Sequence, residues 1–192
     1  MNLSPRWCVT AIVALGALSC SDPVPPAAQG AFIVNLKSGV SGRACPSGAS
    51  FTYDVPSVLA STPTEILTSS TYLHWTVDGE SDSKVSCTVK GSSSFTFAGR
   101  IASGVETLEI SDGVLTNNMT GTARVSVANG MKLSNALTSA AADCTITVVN
   151  NSKGVQVKPG SIWAQFSCPS VIHEPGDGCA ASGTFVLENC SQ

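Results

Sequence analysis

Charge is scarce in this chain. Asp, Glu, Lys and Arg make up 12% of its 192 residues, about half the share usual in a globular protein. Its solvent faces therefore have to be covered by Ser, Thr, Asn and Gly, a mix that belongs to extracellular all-β proteins rather than to helical ones surfaced with Lys and Glu. Lys and Arg form no cluster anywhere, and the net charge is −3. This excludes counterion-driven binding to nucleic acid and direct polybasic attachment to anionic lipid. The longest apolar run, Cys8 to Leu18, falls short of the roughly 20 residues that a membrane-spanning helix needs.

Catalytic groups are equally few. There are two histidines. His74, in Tyr72-Leu73-His74-Trp75, reads as a strand residue among aromatics. His173 lies beside Glu174 and Asp177 in Val171 to Gly178, a stretch read as a polar loop. No G-x-S-x-G elbow, H-E-x-x-H helix or glycine-rich phosphate loop occurs. Ser81-Asp82-Ser83-Lys84 fits S-x-x-K, and Lys37-Ser38-Gly39 fits K-[ST]-G, but the order is the reverse of that in penicillin-binding proteins. Asp78, Glu80 and Asp82 put carboxylates at alternate positions like the opening of a calcium loop; Ser83 and Val89 then stand where that loop needs Gly and a closing Glu. An acidic turn is expected there, and Glu106 and Glu109 are expected on the solvent face of a strand. The sequence predicts no catalytic residue, no metal ligand and no cofactor.

What the chain does have is cysteine. Of eight, Cys8 and Cys20 stand in or at the end of the apolar leader, leaving Cys45, Cys87, Cys144, Cys168, Cys179 and Cys190. No two of these stand at the C-x₂-C spacing of a zinc site, so three structural disulfides formed in an oxidising compartment are expected. Six cysteines allow about 15 pairings. A local Cys168–Cys179 bridge is favoured, because Pro169, Pro175, Gly176 and Gly178 suggest a tight intervening loop.

From residue 31 onward apolar residues alternate in short runs, the period of half-buried strands. Phe32, Val34 and Leu36 begin the pattern. Val85, Cys87 and Val89 continue it, as do Phe95, Phe97 and Ile101; Leu108 and Ile110; Ala123, Val125 and Val127; Cys144, Ile146 and Val148; and Ile162, Ala164, Phe166 and Cys168. Lys90-Gly91-Ser92, Ser111-Asp112-Gly113 and Asn129-Gly130 read as turns, and Lys158-Pro159-Gly160 precedes a strand. The expected fold is all-β, a single antiparallel sandwich or open barrel of about nine to ten short strands over residues 31–192. One short helix is suggested at Thr62-Pro63-Thr64-Glu65 by its capping pattern. Trp75 and Trp163 are the candidate ligand-binding residues, since exposed tryptophans stack on sugars; Trp163 alternates against the apolar face of its run and points outward or into a second core.

Residues 1–19, with Arg6 and then an apolar run, read as a secretory signal. Ala17-Leu18-Ser19-Cys20 resembles the lipobox of bacterial lipoproteins, with Ala17 where that family prefers Leu. The resemblance implies that Cys20 is lipidated and becomes the mature N-terminus; the alternative is an ordinary leader cut near Ser19 or at Ala27-Ala28. Residues 20–30 carry three prolines and read as an extended tether of about 3.1 Å per residue. Ser21, in place of the Asp that retains Gram-negative lipoproteins in the inner membrane, implies the outer membrane. Val77-Asp78-Gly79, Val85-Ser86-Cys87-Thr88-Val89 and Phe95-x-Phe97 resemble the middle of small mycobacterial lipoprotein antigens of the 19 kDa type. That family is surface-exposed and lipid-anchored without an established catalytic role. Together these readings lead to a non-enzymatic envelope lipoprotein, its partners the membrane through the lipid and an unidentified envelope component or glycan. The alternatives are a small-ligand or glycan-binding module and, for location, secretion.

Overall fold

The computed structural model describes residues 25–38, 42–45, 51–55, 76–117, 119–131, 133–151, 154–173 and 176–192. The leader, Cys20, the helix expected at Thr62 to Glu65, and Tyr72, His74 and Trp75 lie outside them.

Fourteen strands and no helix are found among the described residues. β1 (Gln29–Lys37), β2 (Phe51–Val55), β3 (Thr76–Val77), β4 (Lys84–Gly91), β5 (Phe95–Ser103), β6 (Glu106–Leu115) and β7 (Thr120–Asn129) make up the first half. The second half is β8 (Leu137–Thr138), β9 (Cys144–Val148), β10 (Asn150–Asn151), β11 (Gly154–Val155), β12 (Val157–Lys158), β13 (Ser161–His173) and β14 (Asp177–Glu188). Five of these are two-residue pieces, and the other nine match the expected strand number.

Twelve strands join one antiparallel sheet, ordered β2-β1-β14-β13-β8-β7-β6-β5-β4, with β9 also linking β13 to β7. The sheet folds over so that β1, β14 and β13 face β4, β5 and β6. Phe97 on β5 stacks on Phe185 of β14, with ring centroids 6.2 Å apart. Nearby, a Cβ added at Gly99 on β5 would stand 2.5 Å from Leu187 Cδ1 on β14, which shows how closely the two layers approach there. Every apolar residue of the alternating runs lies inward: Phe32, Val34, Leu36, Val85, Phe95, Leu108, Val125, Ile146 and Ile162 all belong to one buried cluster. Each fully buried side chain of this kind contributes roughly 1.5–3 kcal/mol.

The expected fold class is therefore the observed one, a disulfide-stapled sandwich or open barrel. Its bridges are Cys45–Cys179, Cys87–Cys190 and Cys144–Cys168. The local Cys168–Cys179 pairing is wrong. The stretch between those cysteines is the end of a long hairpin: β13 runs to His173, β14 starts at Asp177, and Cys168 faces Ala181 while Cys179 faces Val171. The two cysteines sit at different levels of the ladder, and each reaches a different strand or segment. Val171 to Gly178 is likewise mostly strand rather than loop.

Ser111-Asp112-Gly113 is not a turn either. It lies within β6, where Asp112 has a φ of 54° and the register slips between Ser111 and Val114, which marks a β-bulge. The other turn signals hold: β4 gives way to β5 after Gly91, β7 ends at Asn129, and β13 begins after Gly160.

Candidate functional site

The N-terminal approach to the domain is built into it. Ala28, within the stretch read as tether, packs against the core. Its carbonyl accepts the Asp78 N–H at 2.9 Å, and the Ala27 carbonyl accepts Asn189 Nδ2 at 3.1 Å. Ala27 and Ala28 are thus held by the domain. Pro25 and Pro26 border a groove of about 750 Å³ over the outer face of β4, β5 and β6, where Ser86, Arg100 and Glu109 stand. Arg100 and Glu109 face each other across the β5–β6 ladder. A second groove of about 630 Å³ shares Ser86 and Arg100 and runs on to Asp78 and Asp82.

The three alternate carboxylates lie in the turn from β3 to β4. Asp78 Oδ1 accepts the Val85 N–H at 2.9 Å, and Ser81 and Asp82 adopt φ of 47° and 61°. The Asp78 carboxylate thus ties the turn to the start of β4. Among the described residues, no three His, Cys, Asp or Glu side chains come together as a metal site. Glu106 accepts Asn129 Nδ2 at 3.1 Å, and Glu109 is solvent-exposed, as expected of strand residues. His173 faces Asp177 at the tip of the hairpin.

Trp163 projects from the outer face of β13, half-buried, opposite Val186 in the ladder. A second buried set stands on this face: Ala31, Ile33, Thr184 and Val186 have alternation opposite to the core residues and are nonetheless inaccessible. The Trp163 indole Nε1–H donates to Glu188 Oε1, which also accepts the Ser161 hydroxyl at 2.8 Å. The indole is thereby fixed in orientation.

Beyond Trp163 the same face carries uncharged polar side chains, with Ile33 beside Thr184. Register aligns Thr145, Ser167, Ser182 and Asn35 in one row across β9, β13, β14 and β1, and Thr147, Gln165 and Thr184 in the next. These seven residues, with Phe166 and Gly183, line a groove of about 310 Å³. Glu188 and this polar row were not singled out by sequence reasoning. The available signal was the Ser, Thr or Gln at alternate outward positions in Thr145/Thr147, Gln165/Ser167 and Ser182/Thr184; only the register reveals that they stand side by side.

No known protein family, curated protein or solved structure matches this chain. Val77-Asp78-Gly79, Val85-Ser86-Cys87-Thr88-Val89 and Phe95-x-Phe97 fall on β3, the acidic turn, β4 and β5.

Proposed function

We propose that this chain is an exported, non-enzymatic lipoprotein of the bacterial cell envelope, anchored through acylated Cys20, that displays a rigid β domain to another surface component. The observation that carries the reading is the use of cysteine. All six domain cysteines are spent in three bridges, chemistry that persists where the compartment is oxidising, and Cys20 stands apart from them at the end of an apolar leader. The lipobox-like sequence before it gives that cysteine a use. Ser21 favours the outer membrane over the inner.

The anchoring test is detergent phase partition of the native protein beside a Cys20→Ser variant. The wild type is expected in the detergent phase, and the variant in the aqueous phase with its three disulfides unchanged. A wild type found in the aqueous phase overturns the reading and points to a secreted protein.

A second reading, a glycan-binding module of the envelope, draws support from the uncharged groove where Thr145, Thr147, Gln165, Ser167 and Ser182 stand. The two readings are compatible, since a lipid anchor settles where the domain is held and not what it holds.

A further inference from the structure

We infer that the Cys87–Cys190 bridge is a redox latch. A dithiol reductant opens it while the other two bridges stay closed, and its opening releases the C-terminal segment from the edge of β4. This goes beyond the proposed display role and does not depend on the lipid anchor.

The three bridges differ in how a thiol can reach them, and access governs the rate of thiol–disulfide exchange. Cys144 and Cys168 join β9 to β13 at 0% and 1% exposure, and Cys45 and Cys179 stand at 5% and 0%. Attack on either of these bridges has to wait for the sheet to open locally. Cys87 is the one bridged cysteine that is only half-buried. It and Cys190 both line the groove of about 750 Å³ bordered by Pro25 and Pro26, which leaves room for an attacking thiol.

In the exchange, a reductant thiolate attacks the Cys87 sulfur and forms a mixed disulfide, and the bond to Cys190 breaks with its sulfur leaving as thiolate. The second thiol of the reductant, as thiolate, then displaces Cys87. The reductant departs as a disulfide, having given up two electrons, and its two protons end on Cys87 and Cys190.

What the latch holds is short and polar. Beyond Glu188 stand Asn189, Cys190, Ser191 and Gln192, of which only Cys190 is buried. Hydrogen bonds tie them to the domain. Ser191 donates to the Cys87 carbonyl and accepts from the Val89 N–H, each at 3.0 Å. Cys190 donates to the Gly160 carbonyl at 2.9 Å, and Asn189 Nδ2 to the Ala27 carbonyl at 3.1 Å. Water replaces bonds of this kind with little net loss, so the covalent tie is what fixes the segment. Since β4 ends the sheet, release uncovers the Val89 N–H and the Cys87 carbonyl as a free edge, the surface on which another extended segment pairs.

The test uses the mature Cys20→Ser protein, whose only cysteines are the six in bridges. It is treated with dithiothreitol under native conditions, and thiols are trapped with iodoacetamide at intervals and located by peptide mass. Cys87 and Cys190 are expected to be labelled together, at least about tenfold faster than the other four, which wait for local opening. Amide exchange on this singly opened protein should show Val89 and Ser191 unprotected, with Ile146 and Phe185 still protected. Labelling that begins at Cys45–Cys179 or Cys144–Cys168, or that reaches all three bridges at one rate, would overturn the proposal. So would labelled Cys87 and Cys190 with Val89 and Ser191 as protected as in the bridged protein.

Discussion

Cys87 in the last strand of the sheet is bonded to Cys190, 103 residues later, just beyond the end of β14. The bridge brings the C-terminal segment alongside β4, where Thr88 and Ser191 form a parallel bridge. Val89 donates to the Ser191 carbonyl and Ser191 to the Cys87 carbonyl, each at 3.0 Å. An edge strand that would otherwise present unpaired backbone groups is thus covered. Replacing both cysteines by alanine is expected to cost roughly 4–5 kcal/mol in the chain-entropy view of a loop this long. The checks are chemical denaturation and amide exchange: the Val89 and Ser191 amides should lose protection first. Unchanged protection at those amides would mean that the strand edge is held without the bridge.

Glu188 serves two donors with one carboxylate oxygen, the Ser161 hydroxyl and the Trp163 indole. Glu188→Ala removes the oxygen that both donate to, and Ser161 is buried. A loss of about 1–3 kcal/mol is expected. Glu188→Gln, which keeps a carbonyl oxygen, should lose less, and tryptophan fluorescence should shift in the alanine variant while staying near the native value in the glutamine one.

Gly183 lies where the ring of Phe166 and the backbone of β1 leave no room. An added Cβ would stand 2.0 Å from the Ile33 carbonyl oxygen and 2.7 Å from the Phe166 ring. Since backbone cannot yield as a flexible side chain can, Gly183→Ala is expected to reach or exceed the ~3 kcal/mol upper end of ordinary overpacking. Gly176, with nothing within 4 Å of its added Cβ, is the control. Its alanine variant should change stability by less than about 1 kcal/mol. Thermal melts of the two variants decide the matter.

Thr184→Val keeps the shape of a buried side chain and removes a hydroxyl that has no partner. The free protein is expected to be equally stable or about 1 kcal/mol more stable, whereas most buried substitutions destabilise. A marked fall in melting temperature would show that the hydroxyl is bonded in solution.

The strands facing the core were legible because one face of each meets water. Val85, Cys87 and Val89 alternate with polar neighbours, and so do Cys144, Ile146 and Val148; the alternation in sequence is the alternation in burial. β14 was not legible. It pairs with both β1 and β13, and Thr184, Phe185, Val186 and Leu187 are all buried, so no period-2 contrast remains to be read. The same strand carries Cys179, and reading its surroundings as a loop led to the wrong local bridge. The bulge at Asp112 was mistaken for a turn because an Asp at positive φ suits both, and the sequence carries no mark of whether the chain reverses. The candidate site was least legible of all. Thr145, Ser167, Ser182 and Asn35 come from four strands, and only the register puts them in one row.

The central claim, a disulfide-bonded domain anchored through Cys20, is tested most directly by the intact mass of the native protein extracted in detergent, with and without thiol alkylation. The account predicts the mass of residues 20–192 with three disulfides and attached acyl chains, and no uptake of alkylating reagent. A mass without acyl chains, or an alkylated Cys20, would contradict it.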